Sequence, residues 1–244
     1  MSGNNGFKAD WAAHPRVHTR ITTRTGGASI APYDSFNLGQ HVGDAPEHVE
    51  ANRALLRAQL PAEPVWLNQV HGTAVVEADK VNSPPDADAS VTRRSETVCA
   101  VMTADCLPVL LADRQGTVVA AAHAGWRGLC HGVIEATLAS MGVAPGEVMA
   151  WLGPAIGPDA FEVGAEVRQA FIDGNAADAA AFTPIGDDKY LADIYHLARL
   201  RLHRAGVSDI SGGDFCTVIE RDKFFSYRRD GVTGRMASLI WLQD

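Results

Sequence analysis

No two cysteines of this sequence have the CxxC spacing, and there are only four cysteines in 244 residues. Few and scattered cysteines indicate free thiols rather than a disulfide framework. The first ten residues, MSGNNGFKAD, contain no apolar segment of the kind that forms a secretory signal. No apolar run reaches the roughly 20 residues that are needed to span a bilayer. We therefore expect a cytoplasmic protein that does not enter a membrane.

Basic residues are also scarce. The chain has 21 Lys and Arg against 29 Asp and Glu, which gives a formal net charge of −8. Nucleic acids and anionic membranes attract proteins with an excess of positive charge, so this balance argues against both as partners. A small-molecule ligand agrees better with the composition, and we expect a monomer or a weak homodimer.

Several common functional motifs are absent from the chain. There is no GxGxxG after a predicted strand, no GxxxxGK[ST], no HExxH, no GxSxG and no HxE followed by PCxxC. These absences argue against the familiar dinucleotide-binding, P-loop, zincin, serine-hydrolase and deaminase arrangements. A site in this chain must therefore be assembled from residues that are distant in sequence.

The pattern of apolar residues predicts a folded α+β protein. Apolar residues make up 46% of the chain and charged residues 20%, an ordinary globular composition. Helices and strands alternate without a strict βαβ pattern, which favours one domain with mixed sheets. We expect this domain to span residues 1–244, with residues 1–15 as a loosely ordered extension. Strands are predicted at 16–25, 64–70, 73–78, 97–102, 117–124, 148–153, 214–219 and 236–242, helices at 46–60, 128–142, 164–174 and 191–206, and an exposed loop at 78–90.

Three strong metal ligands lie at the ends of predicted strands: His71 in NQVHGT, Cys106 in TADCLP and His123 in AAAHAGWRG. They are 35 and 17 residues apart, so only tertiary folding can bring them to one site. Two imidazoles and one thiolate with an open fourth position match a catalytic zinc site. In the alternative interpretation each is an ordinary core or turn residue, because an isolated cysteine in an apolar strand is most often inert.

Asp105 directly precedes Cys106 within the apolar run MTADCLPVLL. Alternation along a strand would place these two side chains on opposite faces. A carboxylate in such a run is costly unless it is paired. Asp105 is therefore predicted either to be a buried structural acceptor or to orient a metal ligand or a substrate.

Two arginine-containing segments are candidates for anion binding. In HAGWRG, glycines at 125 and 128 permit close backbone approach at a strand-to-helix turn, and Arg127 could clamp an anion. FFSYRRDGVTGR gathers Arg228, Arg229 and Arg235 behind aromatic residues in an otherwise acidic chain. The alternatives are a tight turn with an exposed arginine and a solvated hairpin with a DG turn. The three clustered arginines favour an anionic ligand.

Six separated segments also carry a family resemblance: SFNLGQHVGD, NQVHGT, TADCLPVLLAD, AAHAGWRG, GPAIGP with FEV, and FFSYRRDGVTGRMAS. Together they resemble the YfiH family, whose members are also called laccase-domain or polyphenol oxidase-like proteins and, more recently, purine nucleoside phosphorylases. The likeness runs in the expected order from Arg20 to Trp241, nearly the whole chain.

The resemblance implies a single α+β domain of the cysteine-hydrolase type with a metal ion, zinc or alternatively copper, on the residues His71, Cys106 and His123. It implies phosphorolysis of adenosine, inosine and methylthioadenosine, with adenosine deamination as a companion reaction. On this basis we expect a catalytic group made of Cys106, His71, His123 and Asp105, the last in proton transfer, and phosphate binding by some of Arg53, Arg127 and Arg235.

Three other classes of function stay open at this point. A His₂Cys site suits copper and hence a phenol oxidase, although the chain lacks the HxH pairs that multicopper oxidases use. In a cysteine hydrolase, Cys106 would be a nucleophile activated by His123, acting on an amide such as a cell-wall peptide precursor. A metal-stabilised binding module without catalysis is the third class.

Overall fold

Fourteen strands within the described residues, 5–244, form three sheets in the computed structural model. The strands are β1 (Gly6–Phe7), β2 (Val17–Thr22), β3 (Pro64–Val65), β4 (Val75–Glu77), β5 (Ala89–Thr92), β6 (Val98–Thr103), β7 (Leu107–Asp113), β8 (Val119–Ala124), β9 (Val148–Leu152), β10 (Glu162–Gly164), β11 (Phe182–Gly186), β12 (Lys189–Ala192), β13 (Asp209–Gly212) and β14 (Met236–Leu242). The sheet orders are β13-β9-β7-β8-β5-β4, β1-β2-β14-β6-β3 and β10-β12-β11. The two larger sheets each combine parallel and antiparallel pairs, which confirms the predicted mixed α+β architecture.

Six α-helices accompany these sheets in the described part of the chain: α1 (Pro46–Arg57), α2 (Trp126–His131), α3 (Val133–Met141), α4 (Ala165–Gly174), α5 (Ile194–Arg204) and α6 (Tyr227–Asp230). The helix predicted from Pro46 is confirmed as α1. Proline is tolerated in its first turn because the N–H it lacks would be unpaired there, and Arg57 lies at the negative end. Within residues 5–244, we find no helix whose length and apolarity would let it cross a bilayer.

The two larger sheets pack face to face, and helices cover their outer faces. Side chains of both sheets, including Val101, Ile240 and Trp151, meet in one buried apolar cluster. Helix α1 covers the outer face of the five-stranded sheet, where Leu56 joins a cluster with Leu239. Helices α3 and α5 cover the outer face of the six-stranded sheet. The central strands are thus buried on both sides, which explains their continuous apolar runs.

Two predicted helices differ from the structure in where they begin or break, and a single residue determines the position in each case. The helix predicted at 128–142 is broken at Gly132, which has φ 99° and separates α2 from α3. The helix predicted at 191–206 starts only at Ile194, because Asp193 caps it by accepting the His196 N–H while Ala192 still belongs to β12.

The strand predicted at 214–219 is wrong. The backbone N–H groups of Cys216 and Thr217 donate to the Glu220 carboxylate and to the Ala155 carbonyl instead of to a strand ladder. The strand in this region is β13, which pairs in parallel with β9. The proposed DG hairpin is also absent, since Ser226 accepts the Arg229 N–H and caps the short helix α6 there.

Part of the segment 1–15, which is predicted to be a loosely ordered extension, forms strand β1. Residues 1–4 lie outside the described range. Gly6 and Phe7 pair with Thr22 and Ile21 as an edge strand, and the Phe7 ring contacts Trp151, with ring centroids 6.5 Å apart. Phe7 therefore connects this part of the chain to the buried cluster between the two larger sheets.

Candidate active site

The side chains of His71, Cys106 and His123 converge, and their ligand atoms all lie within 4.8 Å of one another. The antiparallel pairing of β7 with β8 brings two of them together, because Pro108 stands opposite His123 and Cys106 immediately precedes β7. His71 reaches the same point from a turn in which its own φ is 60°. Its Nε2 atom is 3.8 Å from Cys106 Sγ.

Asp88 orients both histidines and is fully buried. Its carboxylate accepts the His123 Nδ1–H at 2.8 Å. It also accepts backbone N–H groups of the turn that carries His71, at 2.9 Å from His71 and 2.6 Å from Gly72. A carboxylate that fixes the tautomer and the direction of a metal-binding imidazole is a common supporting element of metal sites.

Sequence reasoning missed Asp88 because it lies in the Pro- and Asp-rich segment 78–90, which was predicted to be an exposed loop. The end of that segment is in fact buried, and Ala89 begins β5. The available signal was position: Asp88 directly precedes an apolar strand, where an unpaired acid is costly.

The protonation of the site follows from this arrangement. Burial raises the pKa of the Cys106 thiol, but the charge and hydrogen bonds of His123, with those of His71, outweigh it and lower this pKa to about 6. Burial lowers the pKa of His123, yet Cys106 and Asp88 raise it to about 9. By contrast, burial raises the pKa of the Cys99 thiol to about 12. Cys106 is therefore the thiol that ionises most readily of these two.

The three residues fit a metal ion. They supply one sulfur and two nitrogen donors, the set that zinc prefers, and His123 keeps Nε2 free because Nδ1 is bonded to Asp88. Gly125 leaves the necessary space, since a Cβ there would lie 3.0 Å from Cys106 Sγ and 2.9 Å from His71 Cδ2. The group could therefore hold a metal, with zinc and copper both compatible with the donors.

We expect Gly125→Ala to weaken zinc binding at least tenfold, the scale on which disturbances around metal ligands act. The backbone of Gly125, with φ −59° and ψ 155°, is open to alanine, so the effect comes from the contact of Cβ with the two ligands. Zinc affinity is measured by competition with a chromophoric chelator. Gly146→Ala is the matched control because nothing lies within 4 Å of a Cβ there. An unchanged affinity in Gly125→Ala would contradict the assigned ligand geometry.

A cavity of about 400 Å³ opens on the three ligands. Its other polar and aromatic lining residues include His41, Asn68, Gln69, Tyr227 and Arg235. The Gln69 side chain makes two hydrogen bonds to the backbone of Met102: its Nε2 donates to the carbonyl and its Oε1 accepts the N–H, each at 2.8 Å. No Asp or Glu of residues 5–244 lines this cavity. The volume suits a small organic ligand.

Asp105 is a buried acceptor of two hydrogen bonds. Its carboxylate accepts the Thr217 hydroxyl and the Arg228 backbone N–H, both at 2.6 Å. The predicted alternation of Asp105 and Cys106 along a strand is not found. Asp105 lies in a bend with φ 96°, and β7 begins only at Leu107. It ties the start of α6 to the bend that carries Cys106.

The three arginines expected to bind phosphate occupy different places. Arg235 lines the cavity, and Arg53 lines a neighbouring one. Arg127 is exposed on α2, with its guanidinium 4.4 Å from the centroid of the Trp126 ring, and lines neither of the two. The structure therefore does not bring Arg127 to this site.

The cluster of three arginines in FFSYRRDGVTGR is dispersed by the fold. Arg229 donates to the carbonyls of Thr217 and Phe224, and Arg228 donates to the Glu162 carbonyl. Of the three, only Arg235 faces the cavity. Proximity in sequence did not produce a shared anion site.

The sequence model of the family described as multi-copper polyphenol oxidoreductase laccase matches residues 18–243. Purine nucleoside phosphorylase YfiH of Escherichia coli (strain K12) is 58% identical over 235 residues, which cover 95% of this chain and 96% of that protein. A purine nucleoside phosphorylase of Pseudomonas aeruginosa is 55% identical over 242 residues, covering 99% and 100%. The crystal structure of a Neisseria meningitidis protein matches with a TM-score of 0.96 and 58% identity, covering 98% of this chain and 100% of that one. The chain belongs to this laccase-domain family, and its resemblance to YfiH proteins is confirmed.

Proposed function

We propose that the protein is a purine nucleoside phosphorylase that acts on adenosine, inosine and methylthioadenosine, and that it also deaminates adenosine at the same site. The observation that carries the proposal is the cavity in which the His71, Cys106 and His123 group and the Arg235 guanidinium face one space. Support also comes from relatives that are 58% and 55% identical and carry the name purine nucleoside phosphorylase.

Phosphorolysis breaks the bond between ribose C1′ and purine N9 and forms a bond from C1′ to a phosphate oxygen. The base leaves with the electron pair of the broken bond. Such a reaction needs phosphate held beside C1′ and a pocket that favours charge separation in the transition state. Arg235 would bind phosphate through its guanidinium, and the Tyr227 ring would pack against the nucleoside.

The remaining residues of the site hold this arrangement in place. Asp105 positions the segment that carries Tyr227, through the Arg228 N–H, and we assign it this role instead of proton transfer. Asp88 fixes His71 and His123. A zinc ion on His71, Cys106 and His123 would supply Lewis-acid activation of water, the chemistry that deamination at purine C6 requires. The lowered pKa of Cys106 suits this ligand set, because a thiol binds metal as a thiolate.

The proposal is tested by chromatography of the purified protein incubated with adenosine, with and without phosphate. We expect adenine and ribose 1-phosphate only when phosphate is present, and inosine in both cases. The Cys106→Ala variant, purified in the same way, controls for a contaminating phosphorylase. The absence of adenine at saturating phosphate, with a loaded metal site, would refute the phosphorylase assignment.

A cysteine hydrolase with Cys106 as its nucleophile is a second candidate, because Cys106, His123 and Asp88 also form a thiol–imidazole–carboxylate series. The pKa of Cys106 is lowered to about 6 and His123 Nδ1 is bonded to Asp88, as in sites with an activated thiol nucleophile. The Cys106 thiolate would then attack an amide carbonyl and form a thioester as the C–N bond breaks, and the amine would leave with a proton from His123. Mass spectrometry of the protein as purified, incubated with acyl-amide probes and with its zinc content measured, tests this: a covalent adduct on Cys106 would favour the hydrolase, and one zinc per chain at Cys106 would oppose it.

A copper-dependent phenol oxidase is a third candidate, favoured by the family description and by the His₂Cys donor set. Among residues 5–244, however, only this one cluster of three or more potential ligands is found. Elemental analysis and oxygen uptake with a phenol distinguish the two metals. Copper-dependent oxygen uptake without phosphorolysis would replace the main proposal.

A further inference from the structure

A second cavity, of about 340 Å³, adjoins the one that opens on the metal ligands. The two cavities share a wall of four residues: His41, Leu67, Asn68 and Met102. Arg235 lines the first cavity and Arg53 the second. No Asp or Glu from the described part of the chain lines either one. The walls of both cavities thus carry guanidinium groups and, among residues 5–244, no carboxylate, while Glu50 and Glu63 lie close to Arg53, and Asp105 close to Arg235, outside these walls.

Both arginines are fixed against the same loop, residues 37–41. Arg53 donates from Nε and Nη2 to the Leu38 carbonyl at 3.0 and 2.9 Å, and its guanidinium lies 4.2 Å from the Trp66 ring centroid. The Arg235 backbone N–H donates to Asn37 Oδ1 at 2.9 Å. The Arg235 carbonyl accepts from the Leu38 N–H at 3.1 Å. The loop therefore holds the guanidinium of Arg53 and the backbone of Arg235, while Arg235 Nη1 donates to the carbonyls of Thr233 and Gly234 at 3.0 Å each.

A buried polar network holds this loop rigidly. Asn37 and Asn52 are fully buried. Asn52 donates to the Asn37 carbonyl at 2.9 Å, and Asn37 donates to Asp44 Oδ2 at 2.9 Å. Buried, satisfied amides of this kind specify one backbone conformation. His41 is the last residue of this loop, so its backbone position is determined by the same framework.

The His41 side chain is exposed and makes no side-chain hydrogen bond to another of the residues 5–244. Partial burial and the nearby guanidinium groups of Arg235 and Arg53 lower its pKa. Burial likewise lowers the pKa of Arg235 and that of Arg53. His41 thus lines both cavities and lies close to both guanidinium groups, with no carboxylate of residues 5–244 in the cavity walls, an arrangement that an anion would complete.

We propose that His41, Arg53 and Arg235 form a phosphate subsite at the junction of the two cavities, with His41 as a phosphate-binding residue. The nucleoside then occupies the cavity beside His71, Cys106 and His123, and phosphate reaches it from the second cavity. Arg53 Nη1 and Arg235 Nε and Nη2 make no hydrogen bond within residues 5–244 and would donate to the phosphate oxygens, and the imidazole supplies one further N–H. The inference rests on the proposed phosphorylase function and names the residue and the route by which phosphate enters.

The test measures inorganic phosphate directly and in turnover. We expect His41→Ala to weaken phosphate binding about tenfold or more, by calorimetry of the zinc-loaded protein, which is the scale of a hydrogen bond to a charged group. The KM for phosphate should rise by the same factor, and by at least fivefold more than the KM for adenosine. His41→Gln, which keeps an N–H donor, should recover part of the affinity. His203→Ala, on the exposed side of α5, is the matched control and should match the wild type.

The outcomes separate this inference from the phosphorylase proposal. If the wild type binds phosphate in a His41-dependent manner but forms no adenine, the phosphorylase proposal fails and the subsite stands. If the wild type forms adenine and both His41 variants keep wild-type phosphate affinity, the subsite is wrong. Equal losses for phosphate and adenosine would also overturn it, because His41 would then support the whole site instead of phosphate alone.

Discussion

Cys106→Ala should reduce kcat/KM for adenosine phosphorolysis by about a thousandfold or more, the scale expected when a central group of a catalytic site is removed. Two physical losses combine in this variant. The only sulfur donor of the ligand group disappears, and His123 loses the thiolate that contributes to its raised pKa. The measurement is steady-state kinetics together with the zinc content per chain.

The control for this variant is Cys130→Ala. Cys130 is a half-buried thiol on α2 whose Sγ contacts only the Ala170 carbonyl, at 3.4 Å, among its hydrogen-bond partners within residues 5–244. We expect wild-type kinetics and full zinc content from it. Cys106→Ala protein that retained one zinc per chain and more than a tenth of the activity would show that the thiolate is dispensable.

Asp88→Ala should lower the free energy of unfolding by about 3–5 kcal/mol, the usual result of breaking a buried charged pair. The loss leaves His123 Nδ1 and the backbone N–H groups of His71 and Gly72 without their acceptor. Chemical denaturation of the metal-free protein measures this change. Zinc affinity should fall as well, by roughly 10–100-fold, because both histidines lose their common support.

The pH dependence of this effect follows from the pKa of Asp88. Burial raises that pKa, but hydrogen bonds from His123 and from the backbone of Gly72 and His71 outweigh it, and the pKa is lowered in the folded state. The stabilisation is therefore present above the ordinary pKa, about 4, and is lost as the pH falls through the lowered folded-state pKa. The difference between wild type and Asp88→Ala should shrink below about pH 4.

Asp79→Ala provides the comparison for Asp88→Ala. Asp79 is an exposed acid in the same segment of the chain, and surface substitutions of this kind usually change stability by less than about 0.5 kcal/mol. A similar change in both variants would mean that the contacts of Asp88 with the two histidine-bearing segments contribute little. Zinc affinity then distinguishes a purely structural acid from one that orients ligands.

The elements predicted correctly are those whose signal is strong and local. Strands β6 and β8 have continuous apolar runs because both of their faces are covered. Helix α1 has a proline in its first turn and a basic residue in its last. The errors occur where one residue interrupts a helix, as Gly132 does, or where backbone groups bond to partners that are distant in sequence, as the Thr217 N–H does.

The same division applies to the candidate site. Residue type alone identified His71, Cys106 and His123 as possible ligands of one metal. It could not identify Asp88 or His41, because an acid in a polar segment and a histidine in a loop acquire their meaning only from the groups around them. Their partners are distant in the chain: Asp88 accepts from His123 across 35 positions.

The sequence by itself determined the α+β class, the family and the donor types at the centre of the molecule, because these depend on periodicity, on motifs and on side-chain chemistry. Only the tertiary structure decided which arginine meets the metal ligands, which acid supports them and where a second cavity joins the first. The physical reason is that hydrogen bonds, burial and charge act over a few ångströms in space, and the chain brings segments to that distance only by packing its two sheets and their covering helices together.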